Sequence, residues 1–573
     1  VADTTVVAFG YRSDEIRKLS LTPLCDQSVV AKIRWKPGVC SRQPVARSLG
    51  CHLIGACRPH PDPGCPLTLK DAAEQRMGKK MPQVPRRRAM LRRLKRITLG
   101  WIKKRGLKPI KFDADGSIET WLSKTNYPEW RKAELRKEHE ELVDVLGRND
   151  KGVLLHFIVK LFMKDEHYDE YKHARGIYAR EDNAKLYFGP WFKMMEHELY
   201  KVDDNGDPIN PEFIKHVPVA KRAGYIFKRL FSEGACYIQT DYSSFEAHFD
   251  KFMQQAVEFV LYDFMLQYVP GGKEVLSIMK EVLSGKNIVK NKFISAIIYA
   301  HRMSGEMCTS LGNGFSNLMF MNYVTVHLSK RYGKKIELRG VVEGDDGLFA
   351  FFGIAPMTHH FDEMGLIIKL VKFDELSKAG FCGQLFDIED LQIITDPYRA
   401  VASLGWTTSR YTYSKNRKLM MLLRCKALSL AHQYPGCPII GALAQYALRV
   451  TKSIDVKGFI ERRRDLNLYE YEKLKEAIGD KSARLYVEPG VQTRLLFSEL
   501  YGISLEDQRT IENYFDNLDH LQPLDVPIMR DEFKIDWIHY YDNYCLNLDI
   551  KILEQGNYHL DVGRYRRKKI IPK

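Results

Sequence analysis

At 573 residues the chain can bury a large core and divide into several subdomains, and its 45% hydrophobic and 28% charged residues exclude a disordered or fibrous protein. The formal charge of +16 gives nothing to an enzyme of small acidic metabolites, but it suits a protein that holds a polyanion, because basic clefts concentrate phosphate backbones. Eleven cysteines spread thinly through so long a chain exclude a disulfide scaffold and point to reducing, cytosol-facing surroundings.

Residues 1–80 mix short β-prone runs with turns. Cys25, Cys40, Cys51, Cys57 and Cys65 lie here with His52 and His60, but no compact Cys-x-x-Cys pair makes a zinc site, and scattered thiols are the simpler reading. No signal peptide is evident, and no apolar run is long enough to span a bilayer. Residues 86–108 carry eleven basic side chains without an acid, and Met90, Leu91, Leu94, Ile97 and Leu99 give the first half an apolar stripe. An RNA-facing helix, a membrane-surface helix and a solvated basic face all fit this pattern.

A charged helix is expected over 127–149 and a strand within 154–164. A helix near 219–231 precedes the strand 236–240, and helical patterns at 249–268 and 272–284 are divided by Val-Pro-Gly-Gly. A further helix begins after Gly312. Two strands, 335–342 and 347–352, flank Glu-Gly-Asp-Asp and read as a hairpin with an acidic tip. A helix near 357–364 leads to a strand ending at Phe373; helices follow at 416–432, 439–449 and 467–479, and the chain closes on a basic tail.

The chemistry-bearing residues fall between 160 and 390. Asp241 follows an apolar strand, and Asp345 and Asp346 sit at the hairpin tip. Carboxylates from separate strands are what two-metal nucleotidyl transfer requires, with Asp241 and Asp345 the best pair and Asp346 auxiliary. A bare Gly-Asp-Asp recurs by chance in roughly one in ten chains of this length at average residue usage, and Gly-Asp is also an ordinary turn. Ser304, Gly305, Thr309 and Asn313 form Ser-Gly-x-x-x-Thr-x-x-x-Asn, a small loop that lets backbone approach a nucleic acid, with Thr and Asn able to bond a sugar hydroxyl. Lys164, Lys172, Arg175 and Arg180 supply the cations a triphosphate calls for, although five nearby acids make a solvated surface a fair rival.

The order of these pieces resembles the fingers and palm of viral RNA-directed RNA polymerases of positive-strand RNA viruses, on the tombusvirus- and nodavirus-like side. The resemblance covers about 160–390: the basic motif at 159–196, Asp241 to Glu246, Ser304 to Asn313, Gly344–Asp346 and the two strands that follow. It implies an α+β right-hand fold with fingers, a palm of antiparallel sheet flanked by helices, and a mostly helical thumb. Residues 1–158 would be an N-terminal extension and fingers, 159–235 fingers, 236–390 palm with an interleaved fingers segment, and 391–573 thumb and tail.

It further implies replication of a viral RNA genome from ribonucleoside triphosphates, with two Mg²⁺ or Mn²⁺ ions at Asp241, Asp345 and Asp346. Lys164 and Arg175 would meet incoming phosphates, and Lys369 or Lys372 would protonate pyrophosphate. Lys369 is preferred, since alternation sends the two to opposite faces. The family's usual second acid is Asp, whereas Glu246 stands here, so ribose recognition with Asn313 would use a shifted geometry; Asp250 is a stand-in. RNA template and product are the implied partners, with viral replication proteins and peripheral membrane contact through 86–108 as further candidates, in the host cytoplasm or at replication membranes. A reverse transcriptase and a non-catalytic RNA-binding scaffold are the rival readings.

Overall fold

The computed structural model describes residues 4–19, 32–38, 42–79, 82, 84–146, 158–462, 468–479 and 485–549. Cys25, Cys40, the start of the run at 154–164 and the basic tail lie outside the described residues. The chain is a mixed α+β protein of many helices and small sheets.

Its centre is a four-stranded antiparallel sheet in the order Ile368–Phe373, Cys236–Tyr242, Asp346–Phe352, Glu337–Glu343. Side chains alternate across these strands, so each face has its own core. Ile238, Tyr242, Phe349, Phe351 and Val342 pack with Leu311, Phe315 and Leu318 of the long helix Thr309–Tyr332. Tyr237, Val341, Leu348 and Ala350 pack with Val219, Ala223, Ile226 and Leu230, the apolar stripe of helix Val219–Leu230. Both faces are therefore covered over much of their length, while Asp345 and Asp346 at the acidic hairpin are exposed.

A second sheet of five strands runs Lys32–Trp35, Ile294–Tyr299, Lys286–Lys290, Ile158–Met163, Gly176–Arg180, with one parallel pairing, between Ile158–Met163 and Lys286–Lys290. The pair at 286–299 was not foreseen; it brings a segment from the middle of the chain beside the basic strands. A third sheet joins the two ends of the chain, Cys545–Asp549 pairing with Thr4–Phe9 and that with Pro44–Arg47.

Residues 165–172 bridge the N-terminal and C-terminal thirds. Asp165 accepts from the Ser409 amide at 2.9 Å and hydroxyl at 2.7 Å, and lies 2.8 Å from His60 Nε2. The Tyr171 amide donates to Asp536 at 3.1 Å, and Trp537 Nε1 donates to the Asp169 carbonyl at 3.0 Å.

The basic segment is the helix Arg87–Arg105, and its apolar stripe is spent inside the protein. Met90, Leu94, Trp101 and Ile102 are buried in the central core, with Trp101 edge-on to Phe315 at 5.6 Å and to Phe213 at 6.3 Å. Leu99, expected in the stripe, is exposed. Three arginines find acids that the local sequence does not offer: Arg87 with Asp250 at 2.5 Å, Arg93 with Glu363, and Arg105 with Glu212. No helix among the described residues is long and apolar enough to cross a membrane. Trp101→Ala should lower stability by about 3–5 kcal/mol through lost packing, and Arg92→Ala on the outer face by under about 0.5 kcal/mol. Urea denaturation followed by circular dichroism measures both; equal shifts would mean the helix is not docked.

Candidate active site

The open end of the central sheet carries a line of charged side chains. Lys369 pairs directly with Asp241, and Asp346 with Glu343. Gly347 pairs with Thr240, so one further step of that ladder brings Asp346 level with Asp241. Lys369, Asp241, Asp346 and Glu343 therefore form one row across four strands, spaced by about 4.8 Å. All four lie on the face of Tyr237 and Leu348, whereas Lys372 pairs with Ile238 and belongs to the other face. Asp345 occupies the hairpin turn beside this row. Gly344 takes φ +63° at the first turn position, where a side chain would be strained.

Little of this negative charge is neutralised locally. Glu343 is held by Arg222 at 3.0 Å. Asp345 and Asp346 both meet solvent, and Asp346 is pushed up to about 6 by partial desolvation and then by Asp345, with Asp241 and Glu343 adding and a hydrogen bond with Cys382 opposing. Asp345 is also raised, by burial first and Glu246 second, while Arg175 and Arg76 pull it back. Arg76, from the turn Ala73–Met77 that packs against Phe245–His248, is a neighbour that the sequence did not single out.

The helix Thr309–Tyr332 fixes the hairpin turn. Asn317 Nδ2 donates to the Asp345 carbonyl at 3.0 Å, and Asn317 Oδ1 accepts from the Tyr242 hydroxyl at 3.3 Å, so one buried amide ties the turn to the strand of Asp241. Asn317 was missed; its only signal is a second Asn one helical turn after Asn313. Asn313 is buried, and its Oδ1 has no hydrogen-bond partner among the described residues. The helix starts at Thr309, earlier than expected, so Asn313 lies in its second turn.

The loop before this helix is docked on the strand Gly176–Arg180. Ser304 Oγ accepts from the Tyr178 amide at 3.2 Å, and the Gly305 amide donates to the Tyr178 carbonyl at 2.8 Å. A Cβ at Gly305 would stand 2.8 Å from that same oxygen, which is why glycine is needed. Thr309 Oγ1 donates to the Met303 carbonyl at 3.2 Å and so closes its own loop.

The expected phosphate-binding cations separate into two groups. Arg175 spreads its fork over Glu166 at 2.5 and 3.0 Å, and Lys164 meets the same carboxylate at 2.9 Å; both cations are partly exposed and Arg175 is within electrostatic reach of Glu246 and Asp345. Arg180 and Lys172 are placed elsewhere. Arg180 is buried and bonded to Glu306 at 2.7 Å, Asn287 Oδ1 at 2.7 Å and the Val282 carbonyl at 3.2 Å, which makes it an anchor of the 303–308 loop. Lys172 lies over the Tyr168 ring at 4.8 Å, and burial lowers its pKa. Asp250 is not a free stand-in for Glu246: it caps helix Lys251–Ala256 by accepting from the amides of Phe252 and Met253 and pairs with Arg87.

Among the described residues, no group of three or more His, Cys, Asp or Glu side chains stands close enough to hold a metal ion. The all-carboxylate donors at the hairpin suit hard cations such as Mg²⁺ or Mn²⁺ in kind, and their mutual repulsion leaves charge for such an ion to neutralise. The side chains as they stand do not converge. The zinc idea fares no better: Cys51, Cys57 and Cys65 are buried free thiols, His52 meets Ser48 at 2.8 Å, and His60 is taken by Asp165.

Known proteins similar to this chain are viral. A stretch of 381 residues is 22% identical to the RNA-directed RNA polymerase of Turnip crinkle virus, covering 64% of this chain and 46% of that protein. A stretch of 372 residues is 23% identical to the RNA-directed RNA polymerase of Panicum mosaic virus, covering 60% and 34%. The chain thus spans less than half the length of these curated relatives. No protein-family model matches it. The similarity is weak and general to plant-virus RNA-directed RNA polymerases, and it does not single out the tombusvirus- and nodavirus-like side.

The raised Asp346 makes a pH prediction. Its carboxyl binds a proton more tightly folded than unfolded, so its contribution to stability is present at low pH and is lost as pH rises from about 4 through about 6. Asp346→Asn should melt with the wild type near pH 4 and above it at pH 7.5, both in chelator. Differential scanning calorimetry gives the comparison; a wild type that is the more stable at the higher pH contradicts the assignment.

Proposed function

We propose that this chain is an RNA-directed RNA polymerase that joins ribonucleotides along an RNA template. The observation that carries the reading is the row Lys369, Asp241, Asp346 and Glu343 beside Asp345, whose turn is bonded by the helix that follows the Ser304–Gly305 loop and carries Thr309 and Asn313. The similarity to two plant-virus polymerases supports it. In this reading the central sheet is the palm, the five-stranded sheet belongs to the fingers, and the helical C-terminal layer is the thumb. Viral replication proteins, and a place in the host cytoplasm or at replication membranes, belong to the same proposal.

Asp241 and Asp345, helped by Asp346, would hold Mg²⁺ or Mn²⁺. When bound, such ions lower the pKa of the attacking 3′-hydroxyl and neutralise the triphosphate. Lys369, opposite Asp241 on the edge strand, would donate a proton to departing pyrophosphate. Arg175 and Lys164 would exchange Glu166 for phosphate oxygens. Asn313, whose Oδ1 has no partner among the described residues, would accept from the ribose 2′-hydroxyl, with Glu246 within electrostatic reach of Arg175 and Asp345.

Template-directed incorporation with purified protein, RNA, Mg²⁺ or Mn²⁺ and matched ribo- and deoxynucleotides tests the reading. Asp241→Ala and Asp345→Ala should each reduce extension by about 10³-fold or more, which is about 4 kcal/mol of barrier, while circular dichroism stays unchanged. Lys369→Ala should lower kcat by about 10²–10⁴-fold, with Lys372→Ala close to wild type. Near-normal extension by either folded aspartate variant contradicts a catalytic role, and a preference for deoxynucleotides would indicate a reverse transcriptase instead.

A further inference from the structure

We propose that the outer face of helix Arg87–Arg105 is a second RNA-binding surface, separate from the catalytic recess, that holds RNA by its phosphodiester backbone. The inference rests on the reading of the chain as an enzyme of RNA. At 100° per residue, Arg88, Arg92, Lys95, Arg96 and Lys103 fall within an arc of roughly 100° and extend over roughly 22 Å of helix. All five are exposed, and none is ion-paired among the described residues, in contrast to Arg87, Arg93 and Arg105 on the flanks of the same helix.

The position of this stripe separates it from the active site. The buried side of the helix packs on the core formed with Phe213, Phe315 and Leu318, which covers the sheet face of Ile238, Tyr242 and Phe349. The row from Lys369 to Glu343 lies on the opposite face. The stripe points away from that shared core, so RNA lying along it passes over the outer surface of the molecule and is distinct from the strand copied at Asp241.

The same packing argues against a membrane. An interfacial helix holds a bilayer through an apolar face. Here that face is buried in the protein, and the exposed side offers a single large apolar side chain, Leu99 at 40% exposure. What remains is an elongated array of cations, which suits attachment to the phosphates of a nucleic-acid backbone.

The test replaces Arg88, Arg92, Lys95, Arg96 and Lys103 together by Gln in the full chain, which keeps helix propensity and side-chain length. RNA affinity is measured against salt concentration with a long single-stranded RNA and with a short hairpin template that fills only the recess. For the long RNA the log–log salt slope should become shallower by up to about 3.5, five contacts at about 0.7 each. Single-nucleotide extension on the short hairpin should be unchanged, and a variant with Lys at Arg88, Arg92 and Arg96 should retain the wild-type slope. An unchanged slope for the Gln variant overturns the proposal. Loss of binding to phosphatidylserine vesicles with RNA binding intact overturns it too and assigns the stripe to a lipid surface. If the wild type binds RNA but the slope does not move, only the stripe fails; if the wild type neither binds nor copies RNA, the polymerase reading fails with it.

Discussion

The register of the central sheet is the constraint on which the rest depends. Side chains alternate between faces, so a slip of one residue in any pairing would carry Asp241 or Asp346 from the open recess into the helix-covered core. Glycines fix the alignment. The Phe349 ring lies over Gly340, its direct partner, and over Gly347 on its own strand; a Cβ at either position would collide with it. Asn317 supplies a second lock, because its amide bonds the Asp345 carbonyl and the Tyr242 hydroxyl at once. Strand pairing and the helix behind it thus specify the same arrangement of carboxylates.

Around that arrangement, charges are treated in two ways. Those that hold the scaffold are buried and paired: Arg180 with Glu306, and Arg302 with Glu258, grip the 303–308 loop from either side. Removing one partner of such a pair leaves a charge stranded in the interior, at a cost of about 3–5 kcal/mol. Those at the recess are accessible and only partly compensated. Arg175 and Lys164 share one carboxylate, Glu166, and both cations remain partly exposed; in the proposed reading they would exchange it for a phosphate. The distinction explains why Arg180, close to Arg175 in sequence, does a different job.

The elements around the site were legible because each is signalled locally. Apolar strands flanking Glu-Gly-Asp-Asp gave the hairpin, and alternation along Ile368–Phe373 separated Lys369 from Lys372. What could not be read depends on distant partners. The apolar stripe of 86–108 looks the same whether it meets a bilayer or Phe315, and the acids facing Arg87 and Arg93 are more than a hundred residues away. Arg180 sits in a charged stretch like its neighbours, but its strand turns it inward to Glu306. The strands at 286–299 are short, the first with Lys and Asn at three of its five positions, and they are fixed by pairing with Ile158–Met163 and Lys32–Trp35. Asn317 becomes informative only once the turn it bonds has a position.

In the polymerase proposed above, the carboxylates aligned by this register would hold divalent cations. Anomalous diffraction from crystals soaked in Mn²⁺ with a ribonucleoside triphosphate addresses it directly. The claim predicts manganese peaks between Asp241 and Asp345, with Asp346 alongside, and rotation of these side chains toward them. Manganese bound only elsewhere, with the three carboxylates left as they stand in the free protein, would contradict it.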